Sequence, residues 1–93
     1  MKLRVWWIPQ IPMKSFNVDV ESVEEAEKIL NVLADYDLFQ YENRVKGDYA
    51  NAGGLQYWDE EENEWLEWYC TDAGNDYEGM DINEIMMEKL KSA

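Results

Sequence analysis

Ninety-three residues carrying a net charge of −13, no histidine and one cysteine describe a small acidic domain with no internal disulfide. Aromatic residues make up 14% of the chain, with five Trp and six Tyr, far richer than a disordered acidic chain. The acidic surface argues against nucleic acid or anionic membrane as a direct ligand, since both would be repelled.

Lys2–Ile8 is expected to be the first strand. Leu3, Val5 and Trp7 alternate with Arg4, Trp6 and Ile8, so both faces carry bulk and the strand should be central. The run is too short for a membrane span, and Pro9 and Pro12 follow where a signal peptide would have its cleavage region. Phe16, Val18 and Val20 alternate with Asn17 and Asp19, a half-buried strand that most simply pairs antiparallel with the first. Ser22-Val23-Glu24-Glu25 reads as a capping box. Behind it Val23, Ala26, Ile29, Leu30 and Leu33 recur at helical spacing, which predicts a helix over 23–36. Tyr36–Tyr41 reads either as an extension of that helix or as a separate extended segment.

Glu42 through Gly54 is dense in turn formers and is expected to be a loop, with Gly53 and Gly54 supplying either positive φ or a close backbone approach. Leu55–Trp58 and Glu64–Cys70 are expected to be strands joined by the acidic hairpin loop Asp59–Asn63. Leu66, Trp68 and Cys70 would share one face of the last strand, and Trp65, Glu67 and Tyr69 the other. Asp81-Ile82-Asn83-Glu84 resembles a second helix start, and Ile82, Ile85, Met86 and Leu90 form a stripe in a short helix over 81–91. The expectation is a single α+β domain over 1–93, with elements in the order ββαββα. A four-stranded antiparallel sheet would carry the main helix across one face. Its compact core would span about 2–70 and be followed by an acidic extension.

No catalytic set is evident. Cys70 has no neighbouring base and reads as a small buried hydrophobe. Asp72–Glu78 fails the calcium-loop pattern, with Tyr77 where a glycine is needed. Asn51-Ala52-Gly53-Gly54 lacks the lysine and following Ser/Thr of a phosphate loop. The expectation is therefore no enzyme, no cofactor and no metal site.

Two surfaces remain as candidates for binding a partner. One is the second face of the sheet, where Trp6, Trp65 and Tyr69 would be exposed unless the C-terminal helix or a second copy of the chain covers them. The other is a loop in which Asn43, Arg44, Lys46, Tyr49 and Asn51 could form a small partner-binding cluster. Charge adds a further reading. Residues 1–58 carry nine acids against six bases, and residues 59–93 twelve against two. So acidic a second part could act as a nucleic-acid mimic that inhibits a defence enzyme of host or phage.

Three stretches taken together carry a resemblance: Arg4-Val5-Trp6-Trp7-Ile8-Pro9-Gln10-Ile11-Pro12-Met13, Leu33-Ala34-Asp35-Tyr36-Asp37-Leu38-Phe39, and Asn43–Tyr49 through Gly53-Gly54-Leu55. In these the chain resembles small bacteriophage-encoded superinfection exclusion proteins, over residues 2–70. The resemblance implies a phage or prophage gene expressed in the bacterial cytoplasm, with a role in blocking a competing phage or in host takeover. It brings no functional residues with it. The expected partner is a host or phage protein, and a homodimer through the exposed sheet face is compatible with it.

Overall fold

The computed structural model describes residues 1–43 and 51–92. Its elements are β1 (Leu3–Ile8), β2 (Phe16–Val20), α1 (Val23–Glu42), β3 (Ala52–Asp59), β4 (Glu64–Glu67) and α2 (Ile82–Ser92). The α+β class and the ββαββα order are as the sequence implies. The strands form one antiparallel sheet in the order β2-β1-β3-β4, so β1 is central. Both of its faces therefore need bulk, which accounts for its unbroken run of large side chains.

Register assigns the faces. Leu3, Val5 and Trp7 lie beside Val20, Val18 and Phe16 of β2, and beside Tyr57, Leu55 and Gly53 of β3. These residues make the inner face. The buried cluster on it joins Leu3, Val5, Trp7, Val20 and Leu55 to Ala26 and Leu30 of α1 and to Ile82 of α2. Both helices thus pack on the same side, and the core reaches past residue 70 into α2.

The helix starts follow from local chemistry. Ser22 Oγ accepts from the Glu25 N–H at 3.1 Å. At α2 the exchange is reciprocal: Asp81 Oδ1 accepts from Glu84 N–H at 2.9 Å, and Glu84 Oε1 accepts from Asp81 N–H at 3.1 Å. Lys89 near the end of α2 pairs with Glu27 of α1 at 2.9 Å, joining the two helices at their exposed edge.

Three boundaries differ from the sequence reading. Tyr36–Tyr41 continues α1, so the helix runs six residues beyond 36, to Glu42. Gly53 and Gly54 lie inside β3 rather than in a loop, and neither has a positive φ. They serve close approach. A Cβ on Gly53 would stand 2.4 Å from the Trp7 ring, and one on Gly54 would stand 2.7 Å from Trp6 Nε1. β4 ends at Glu67 rather than Cys70: Trp68 N–H still donates to the Leu55 carbonyl at 3.0 Å, and Tyr69 then bridges Asp81. Cys70 is buried, and its N–H and C=O bond to Met80 and Gly79, closing the 71–79 loop at its base.

Candidate functional site

The outer face of the sheet is left by both helices, and it is built in rows. Lys2 precedes β1 beside Trp58, whose N–H donates to the Lys2 carbonyl at 2.9 Å, and Trp58 pairs with Trp65 of β4. The next row runs Asp19, Arg4, Gln56, Glu67, and the one after it Asn17, Trp6, Gly54.

Long side chains cross these rows and tile the surface. Arg4 Nε donates to Gln56 Oε1 at 2.9 Å, and its guanidinium carbon lies 4.2 Å from the centre of the Trp65 ring. Lys2 Nζ sits 5.5 Å from the same ring, and Trp58 meets Trp65 edge-on at 5.5 Å. Trp6 reaches across Gly54 and donates its indole N–H to Glu67 Oε2 at 3.3 Å. Partial burial pushes the Glu67 carboxyl above its ordinary 4.5; the Trp6 hydrogen bond opposes the shift and the Asp81 charge adds to it.

Of the residues expected on this face, Trp6 and Trp65 are on it, half-buried, while Tyr69 lies past the end of β4 and is 49% exposed. Sequence alternation set Arg4 beside Trp6 and Glu67 beside Trp65 but did not point to Lys2, Gln56 and Trp58, which complete the surface. The missing signal was register, which the chain shows only once β1, β3 and β4 are aligned.

The second candidate cluster is divided. Arg44, Lys46 and Tyr49 lie outside the described residues. Asn43 ends α1, with its N–H and Nδ2 both on the Phe39 carbonyl at 3.0 and 2.8 Å. Asn51 Nδ2 donates to Asp37 Oδ2 at 3.0 Å. These two asparagines hold backbone and a buried carboxylate of their own chain.

Asp37 itself gave no signal in the sequence. It is 2% exposed and takes the Trp7 indole N–H at 3.1 Å as well as Asn51. Next to it Trp7, Pro9, Phe16, Leu33, Tyr36 and Gln40 border an open apolar depression of about 300 Å³. Among the described residues no three carboxylate or thiol side chains converge as a metal site would require, and no helix is long and apolar enough to cross a membrane.

Comparison with known proteins points the same way as the motif resemblance. The family described as superinfection exclusion gene product 17 matches residues 2–91, so the likeness extends well beyond Cys70. The superinfection exclusion protein of Salmonella phage P22 is 48% identical over 92 residues, an alignment covering 83% of this chain and 89% of that protein. No solved structure matches.

Proposed function

Because the chain belongs to the superinfection exclusion gene product 17 family, we propose that it acts in superinfection exclusion as a protein-binding module without catalysis of its own, seating a host or phage protein on the outer face of its sheet. One observation carries the reading. Both helices pack on the inner face, so Trp6, Trp58, Trp65 and Arg4 stand together on a face that neither helix covers. Trp and Arg are the residue types that dominate the energetics of protein interfaces, where a flat aromatic ring loses little entropy on binding. Their locations also suit an acidic molecule. Lys2 and Arg4 offset Asp19 and Glu67 on this face, which keeps it near neutral while the hairpin tip Asp59–Glu62 stays acidic.

The test is exclusion itself. Bacteria expressing the chain are challenged with phage, and plating efficiency is compared for the parent, Trp65→Ala and Arg4→Glu, with the fold of each checked by circular dichroism. Loss of about tenfold or more in protection from either folded variant is the expected result. Full protection from both would overturn the reading. Tagged protein recovered from infected and uninfected lysates, washed at low and high salt, identifies the partner. A basic nucleic-acid-handling partner released by salt would instead support an acidic decoy acting through Asp59–Glu62.

A further inference from the structure

The two edges of the sheet are not alike. β4 is four residues long, carries Glu64 and Glu67, and follows the acidic hairpin tip, all features that discourage pairing with another strand. β2 has none of these except Asp19. It runs five residues in unbroken register with β1, without Gly, Pro or Lys. Its inward side is also incompletely covered. Phe16 faces the helix side of the sheet yet is 59% exposed, and Val18 is only half-buried. Above them the flank of α1 is apolar: Tyr36 borders the same depression as Phe16, and Val32 and Phe39 continue that flank four residues before and three after it.

We propose that the β2 edge is the dimerisation site of this protein, two copies pairing β2 against β2 in antiparallel fashion about a twofold axis at Val18. The sequence of the strand is self-complementary in that register. Val18 meets Val18 of the second copy, Phe16 meets Val20, and Asn17 meets Asp19 on the outer face, twice over. Ser15 Oγ donates to Asn17 Oδ1 at 3.0 Å, which orients the amide so that its Nδ2 is the group left to donate.

Long-range charge agrees. Of the net −13, the −10 in residues 59–93 belongs to the hairpin tip, β4, the 71–79 loop and α2, and β4 is the edge farthest from β2. Pairing through β2 builds a continuous eight-stranded sheet, four strands from each copy, with the two acidic edges at its opposite ends. Both copies of α1 lie on the same face, and the outer faces join into one surface. This inference does not rest on the proposed partner-binding role.

Sedimentation equilibrium of the full chain at about 100 µM should show a dimer. Asn17→Asp places carboxylates opposite Asp19 at two symmetric positions and should weaken the dimer about tenfold, more at low salt. The double variant N17D/D19N restores an amide–carboxylate pair in reverse and should recover the parent constant to within about threefold. Thermal unfolding of each variant at low concentration checks that the monomer is unchanged. A parent that sediments as a monomer would overturn the proposal. So would a dimer indifferent to Asn17→Asp, or one that the double variant fails to restore.

Discussion

Trp6 and Trp7 are neighbours in sequence and lie on opposite faces of β1, where each repeats the other's arrangement in a different medium. Each ring lies over a glycine of β3, Trp6 over Gly54 and Trp7 over Gly53. Each indole N–H donates to a carboxylate brought from another element, Glu67 for Trp6 and Asp37 for Trp7. On the inner face α1 closes over the arrangement, and Asp37 is all but sealed. On the outer face neither helix closes over it, and Glu67 remains half-buried. The same three groups should therefore be structural on one face and adaptable on the other, since an unmade hydrogen bond costs most where water cannot replace it.

The widest expected gap comes from removing the rings. Trp7→Ala should cost about 4 kcal/mol, a large part of the about 5–14 kcal/mol expected of a domain this size, whereas Trp6→Ala should cost less than about half as much. Urea unfolding of both variants measures the difference, and equal costs would break the comparison. Next come the carboxylates. Asp37→Ala strands the Trp7 indole and the Asn51 amide in the interior and should lose about 2–4 kcal/mol. The glycines should separate more narrowly. A methyl at Gly53 meets the packed Trp7 ring and should cost about 1–3 kcal/mol, while at Gly54 it meets the ends of Trp6 and Glu67 side chains that can move outward, for less than about 1 kcal/mol.

The smallest effect is a pH dependence. The folded state raises the Glu67 carboxyl, so it binds that proton more readily than the unfolded chain does. Stability from this group then falls as pH rises from the ordinary 4.5 through the raised value, and the penalty is fully present above it. Glu67→Gln removes the titration. The parent should gain on that variant, by a few tenths of a kcal/mol, as pH drops from neutral toward 4.5, readable as converging melting temperatures.

Much of this architecture is legible in the chain because the signals are local. The spacing from Val23 to Leu33, the Ser22 cap, and the alternation in Phe16–Val20 each report on their own neighbours. The face shared by Trp6 and Trp65 follows from alternation in two strands. What stayed hidden depends on distant partners. Gly53 and Gly54 read as loop because glycine favours turns, and their place in a strand is explained only by two tryptophans more than forty positions earlier. The end of α1 was ambiguous because its last turns invert the usual pattern, hiding Asp37 and exposing Tyr36 and Phe39. No local rule announces a buried acid whose donors come from β1 and from Asn51. β4 stops short of Tyr69, which bridges Asp81 instead, another contact across a loop.

The central position of β1 has a consequence for how the molecule assembles as it is synthesised. Its neighbour β2 and the covering helix are the next parts of the chain to appear, so a sheet of two strands under α1 can form early. The other edge of β1 must wait for β3, whose register with it joins Leu3 to Tyr57 and Ile8 to Ala52. Until then Trp7 lacks the glycine it rests on, and an open row of backbone groups faces solvent. Such sequence-distant pairing slows folding, so the slowest step should be the docking of β3 against β1, which swings the indole of Trp7 from water into its seat.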